Sequence, residues 1–197
     1  MLKLDHLAVA AQTLADGVAW VERTLGVTMQ PGGQHVRYGT HNKLLGLCDI
    51  YLEVIAPDPD AAPFDGPRWF GLDQFSGPPR LANWICQTDS FDETMAITGP
   101  PIDLARGDLR WQLTVPEDGS LPFGGAFPTL IRWAEGTTHP ATRLPDSGCR
   151  LRRFEVSHPD AALPGMVDIA DPRVHFLRGL SGFRAIFDTP NGERVLG

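Results

Sequence analysis

The sequence predicts an α+β fold built from a repeated β-α-β-β-β unit, and three observations predict it. A short apolar run, LDHLAVAA at residues 4–11, has counterparts in LANWICQT at 81–88 and CRLRRFEVS at 149–157, all of a length that suits strands. After each run comes a stretch with helical spacing and then further short apolar segments, so one order of elements recurs from Leu4, Leu81 and Leu151, the self-similarity of duplicated modules. The 21 Gly and 18 Pro among 197 residues imply many turns between short elements.

The first unit spans residues 1–57. Its opening strand ends at Gln12-Thr13, where the Thr13 hydroxyl suits a helix N-cap. Leu14, Val18, Val21 and Leu25 then recur at three- and four-residue spacing, with Asp16 in the first turn and Gly26 as the C-cap. Residues 27–30 read as a short strand, Pro31-Gly32-Gly33 as a turn, and HNKLLGL with IYLEVIA as a hairpin that closes near Pro57. Residues 58–80 are rich in Pro, Gly and Asp yet carry Phe64, Trp69, Phe70, Leu72 and Phe75, which predicts a packed connecting loop that covers something.

The second unit, 81–134, reads as a strand, a short helical stretch capped by Asp89 or Ser90 and carrying Phe91, Met95 and Ile97, and strands at 109–115 and 128–134. The third, 149–197, reads as a strand, a helix opened by His158-Pro159-Asp160, and strands at 174–178, 183–189 and 193–196. All three units are expected to pack as one domain.

A net charge of −7 argues against a general nucleic-acid or anionic-membrane surface, which needs a basic face. Cys48, Cys86 and Cys149 are too few and too widely spaced for a disulfide framework or a structural zinc site, and each lies in or beside an apolar run, as core thiols of a reducing compartment do. No apolar stretch approaches the roughly 18 residues of a membrane span and no leader pattern opens the chain, so a cytoplasmic protein is expected.

Two polar residues stand where burial is expected, His6 inside the first strand and Glu53 between Leu52 and Val54. An isolated buried charge costs several kcal/mol or more, so the two are partners or ligands of a third group. Either they form a buried His–Glu hydrogen bond that joins two strands, or they face a pocket and act on a substrate. His41 begins the hairpin and is a pocket candidate on the same terms. Trp84, Trp111 and Trp133 alternate as core aromatics do, with substrate stacking as the second reading. His139 and His158 precede Pro and read first as loop-fixing residues. Arg150, Arg152 and Arg153 read as a solvated strand face or a small-anion site. No nucleophile elbow, phosphate loop or CxxC pair is present.

The β-α-β-β-β repeat with His on its first strand and Glu on its last, together with the closing phrase FDTPNGERVLG, resembles the vicinal oxygen chelate superfamily of glyoxalases, fosfomycin and bleomycin resistance proteins and extradiol dioxygenases. More narrowly, GTHNKLL followed by YLEVIAPDP, and later RWAEGTTHPA, resemble its glyoxalase-like domain proteins. The resemblance implies sheets curled into a half-open barrel, with two paired modules forming a cup around a small-molecule ligand. It also implies one divalent metal (Zn, Mn, Ni or Fe), or none, held by residues of the first and last strands. The first unit keeps both positions as His6 and Glu53, whereas the second has Asn83 and Ile131 and the third Arg153 and Val195. His41 is the best further metal ligand and His139 another; alternatively Arg132 or Arg153 replaces the metal's charge and binds an anionic substrate through its planar fork.

The resulting candidates are His6 and Glu53 as catalytic residues, His6, Glu53 and His41 as metal ligands, and His41, Trp84, Arg132, Trp133, His139 and Arg153 as substrate contacts. The implied function is a glyoxalase-like enzyme of lyase, isomerase or dioxygenase type acting on a polar or oxoanionic metabolite, with a non-catalytic binding protein that has lost its metal site as the alternative. Two modules complete one cup, so the third either extends the sheet or pairs with its copy in a homodimer.

Overall fold

The computed structural model describes residues 1–91 and 94–197. Its first unit comprises β1 (Lys3–Ala10), α1 (Leu14–Leu25), β2 (Gln30–His35), β3 (Thr40–Gly46) and β4 (Tyr51–Pro57). Helix α1 starts and stops where the capping residues predict: Thr13 Oγ1 accepts from the Asp16 amide at 3.2 Å, and Gly26 closes the helix at φ 71°. Strands β3 and β4 form the expected hairpin, and β1 lies parallel to β4. Pro31-Gly32-Gly33, expected as a turn, instead lies within β2, where the pairing to β3 shifts between Pro31 and Gln34. The glycines serve close approach, because a Cβ on Gly32 would stand 2.1 Å from Asn42 Oδ1.

The second unit comprises β5 (Arg80–Gln87), α2 (Met95–Thr98), β6 (Pro101–Arg106), β7 (Leu109–Thr114) and β8 (Thr129–Trp133). Strand β6 was not foreseen, and the expected helix is reduced to the single turn α2; the part of that expectation at 92–93 lies outside the described residues. Because β5 pairs antiparallel with β1, the two units join in one eight-stranded sheet of order β2-β3-β4-β1-β5-β8-β7-β6. Its two edges curl toward each other until a Cβ on Gly33 would stand 2.8 Å from Arg106 Cδ, so the curved sheet is nearly closed.

The link between units carries α3 (Pro140–Arg143), and the remainder forms β9 (Arg150–His158), α4 (Leu163–Met166), β10 (Val174–Arg178), β11 (Gly182–Thr189) and β12 (Gly192–Leu196). The element order thus occurs a third time, but the pairing differs. Strand β9 lies between β10 and β11 in a separate sheet of order β10-β9-β11-β12, whereas β1 and β5 each pair with the last strand of their own unit. This sheet does not extend the first one.

Strand alternation divides the core in two. Leu7, Val9, Leu52, Val54, Trp84 and Cys86 face outward and pack with Val18, Val21 and Leu25 of α1 and with Phe154, Val156 and Phe187 of the second sheet. Ala8, Ala10, Ile55, Ile85, Leu113 and Ile131 face inward, where Trp69, Phe70 and Leu72 of the connecting loop fill much of the cup. Burying each of the large side chains contributes about 1.5–3 kcal/mol, so both layers are needed to hold the curved sheet. Cys86 and Cys149 are core thiols as expected, but Cys48 is exposed because it occupies a turn at φ 80° between β3 and β4.

Candidate functional site

The inward face keeps a small cavity of about 40 Å³ lined by His6, Glu53, Asn42, His35 and Arg106 on its polar side. Leu44, Tyr51, Trp69, Phe70, Trp111, Leu113, Ile131 and Trp133 complete the lining, so both units and the connecting loop contribute. As it stands, this is room for a few waters.

His6 owes its orientation to a bulge. The pairing of β1 with β5 shifts between Leu4 and His6, and Asp5 and His6 are both buried although consecutive strand residues normally point to opposite faces. His6 Nδ1 donates to Asp5 Oδ1 at 2.5 Å, and the imidazole stacks on the Tyr51 ring at 4.3 Å. Asp5 Oδ2 in turn accepts from Gln87 Nε2 at 2.7 Å, Trp133 Nε1 at 2.9 Å and His139 Nε2 at 2.9 Å. The His139 tautomer follows from its own surroundings, since its Nδ1 accepts from the Ala141 amide.

Burial raises the Asp5 pKa, but the hydrogen bonds that His139 and His6 donate outweigh it, and the carboxyl is held well below the usual carboxylate range. Asp5 is therefore an anion that fixes His6 with Nδ1 protonated and Nε2 turned to Glu53 and the cavity. The Tyr51 phenol is pushed well above its ordinary value by burial and by the nearby Asp5 and Glu53 charges, so it stays neutral.

Glu53 is held by a different partner. Its Oε1 accepts from Asn42 Nδ2 at 2.5 Å, while its Oε2 stands 3.7 Å from His6 Nε2, beyond hydrogen-bond length. Asn42 is locked by the Gly33 amide and by Arg106 Nη1, at 2.8 and 3.2 Å from its Oδ1. Arg106 Nη1 also donates to His35 Nε2 at 3.0 Å, which leaves His35 Nδ1 to donate to Thr40 Oγ1. Burial and then the Arg106 charge press the His35 pKa down from 6.5 to about 3, so His35 is a neutral acceptor that aims a guanidinium into the cup.

The glyoxalase-like domain family matches residues 4–164, over most of the chain. The chain belongs to this family. The nearly closed eight-stranded sheet with few helices is a mixed α+β fold of the glyoxalase-like kind. Among solved structures, a hypothetical protein from Staphylococcus aureus is 16% identical over 92% of this chain and 88% of that one, with a TM-score of 0.63, and shares the fold. Methylmalonyl-CoA epimerase from Mycobacterium tuberculosis is 18% identical over 66% of this chain and 86% of its own, with a TM-score of 0.41. The Streptomyces coelicolor epimerase in complex with 2-nitronate-propionyl-CoA is 17% identical over 66% and 97%, with a TM-score of 0.42. No curated protein matches the chain.

The candidates inferred from the sequence of this glyoxalase-like chain separate into three groups. His6, Glu53 and Trp133 line the cavity, and His139 stands behind it on Asp5. His41 does not reach the cup: on β3 it is one residue out of phase with Asn42, and its Nδ1 lies 3.8 Å from Asp58 instead. Trp84, Arg132 and Arg153 are corrected by the same alternation. Trp84 faces outward and packs on Phe154 and Phe176, its Nε1 donating to the Ala126 carbonyl. Arg132 leaves the sheet between inward-facing Ile131 and Trp133 and bonds Gln112 and the Asp89 carbonyl. Arg153 lies on the second sheet, paired with Glu155 on the face away from Phe154.

The donor set does not fit a catalytic divalent metal. Such an ion takes at least three protein donors, and among the described residues no group of three or more His, Cys, Asp or Glu side chains is arranged to hold one: around His6 and Glu53, the Asp5 carboxylate is spent on His6, Gln87, Trp133 and His139. At the second unit's counterpart position Asn83 is spent on Thr129 Oγ1, at 2.8 Å, and the other imidazole lining the cavity, His35, is neutral and capped by the Arg106 cation. Among the described residues no helix is long and apolar enough to cross a membrane.

Proposed function

We propose that the chain is a small-molecule enzyme of the lyase or isomerase type, moving a proton on a polar or oxoanionic substrate held in the cup. The observation that carries this reading is that His6 Nε2 and Glu53 Oε2 face each other at 3.7 Å beside a cavity, each fixed by a separate partner and neither bonded to the other. A purely structural pair would close to a direct hydrogen bond with no space beside it. His6 Nε2 is the base, and Asp5 both fixes its tautomer and stabilises the imidazolium formed when the proton arrives.

Arg106 takes the role of the cation. Its Nη1 is occupied by His35 and Asn42, and the remaining guanidinium N–H groups bind the substrate oxygen on which charge develops. The His6 imidazolium gives the proton back to the substrate, and the Glu53 carboxylate, oriented by Asn42, accepts a hydrogen bond from a substrate hydroxyl.

A non-catalytic binding protein is the second reading, favoured by the smallness of the cavity. A cytoplasmic homodimer goes with either reading, tested by cell fractionation and sedimentation equilibrium. Incubating a fractionated metabolite extract in D2O with wild type, His6→Ala and Glu53→Gln distinguishes the two functions. A compound that gains deuterium or is converted only by wild type supports the enzyme. Compounds that raise the melting temperature of wild type but are never labelled or converted support the binder.

A further inference from the structure

Beyond the partition formed by Phe70 lies a second and larger space. A cleft of about 640 Å³ opens between the connecting loop, the start of β5, the loop before β8 and the β10–β11 connection. This is the size of a site for a whole small molecule, whereas the inner cavity has room only for a group of a few heavy atoms. Its walls carry Phe70, Phe75, Leu81, Leu121 and Phe183, with Arg80 stacked on Phe75 at 4.1 Å. Phe70 lines both spaces.

The partition is built to be held on one side only. Tyr38, Trp69 and Phe70 form a continuous stack with ring centroids 4.4 and 5.0 Å apart, and Trp69 is pinned by its Nε1 donating to Thr40 Oγ1. Phe70 ends the stack with no polar anchor on its ring. Its backbone is left-handed at φ 58°, an uncommon conformation for a non-glycine residue, and Gly71 follows at φ 62°. A cup filled by its own loop and a cleft of ligand size, with Phe70 in the lining of both, have the form of a single site in two parts.

We propose that the outer cleft binds the apolar or aromatic body of the substrate whose anionic head reacts at His6, Glu53 and Arg106, with Phe70 as the movable wall between them. The proposal rests on the reading of the inner cup given above, and it defines the substrate class as elongated amphiphilic carboxylates or related oxoanions. A head and a body joined by a linker of matching length bind together far more tightly than the head alone, because the second contact becomes intramolecular.

The test is calorimetric titration of propanoate and of ω-phenyl alkanoates of increasing chain length into the full chain, with Gly182→Trp, Gly182→Ala and Arg106→Gln. Gly182 lines the cleft, and a Cβ there meets nothing within 4 Å, so a side chain is added at this position without backbone conflict and an indole is bulky enough to obstruct the cleft. We expect at least a tenfold gain in affinity from propanoate to the best phenyl homologue, abolished by Gly182→Trp and kept by Gly182→Ala. No gain with chain length, no binding by any member, or a gain that survives Gly182→Trp overturns the proposal. Arg106→Gln tests the inner reading separately: it is expected to abolish propanoate binding, and unchanged affinity would refute the anionic head while Gly182→Trp still reports on the cleft.

Discussion

Asp5→Asn is the substitution from which most can be worked out in advance. Three donors, Gln87 Nε2, Trp133 Nε1 and His139 Nε2, converge on Oδ2, and one, His6 Nδ1, reaches Oδ1. An amide offers one acceptor oxygen in place of two. Turning its nitrogen toward the three donors would orphan all of them at about 1–3 kcal/mol each, so the amide oxygen takes the Oδ2 position and the amide nitrogen faces His6. His6 then has to accept at Nδ1 and carry its proton on Nε2. The structural loss is one charge-assisted hydrogen bond, about 1.5–3 kcal/mol, read by urea denaturation at neutral pH. The functional loss is larger, because the nitrogen facing the cavity no longer accepts a proton; a base contributes about 10²–10⁴ in rate, and turnover of any substrate found by the deuterium screen should fall by that order. An Asp5→Asn protein that retains full turnover would refute the assignment of His6 as an Asp5-oriented base, whatever its stability.

Other predictions follow from the same contacts. Because the folded pKa of His35 lies near 3 and its unfolded value near 6.5, the unfolded state binds the extra proton between these limits; stability is complete above about pH 6.5 and declines as pH falls toward 3, with a limiting slope of about 1.4 kcal/mol per pH unit, reduced because His35 is partly exposed. His35→Gln should flatten an acid-denaturation profile over that window, and an unchanged profile would contradict the buried neutral histidine. Asp5, whose folded pKa is depressed, adds a separate loss that begins only as pH falls through about 4. Arg106→Gln removes a charge that presses on His35, so the folded pKa should rise toward its ordinary value and the His35 contribution to the stability loss should level off at a higher pH than in wild type, measured in the same titrations. Trp84→Ala should cost about 3–5 kcal/mol in stability, as expected for a fully buried core indole, and leave ligand affinity unchanged in folded protein. Retained stability with lost binding would return Trp84 to the site.

Local chemistry made much of the fold legible. Thr13 and Gly26 mark the ends of α1 because capping is a property of a few adjacent residues, and the β3–β4 hairpin shows in the alternation that places Glu53 beside Leu44. His6 and Glu53 were visible as polar residues where burial was expected. Strand β6 was not visible, since its alternation is short and begins at Pro101, and with it Arg106 escaped notice; its role depends on sheet curvature that brings opposite edges together, which no local pattern encodes. Asp5 escaped for another reason. Ideal alternation would turn it away from His6, and only the bulge against β5 buries the two together. Trp84, Arg132 and His41 were misassigned for the converse reason, each lying one residue out of phase with a neighbour that does face the cup.

The most direct measurement is long-range 15N–1H NMR of the His6 ring in wild-type protein at neutral pH. The account predicts a proton fixed on Nδ1, where Asp5 accepts it, and Nε2 unprotonated and perturbed by anionic ligands. A proton found on Nε2 of neutral His6, or an imidazole indifferent to Asp5→Asn, would contradict it.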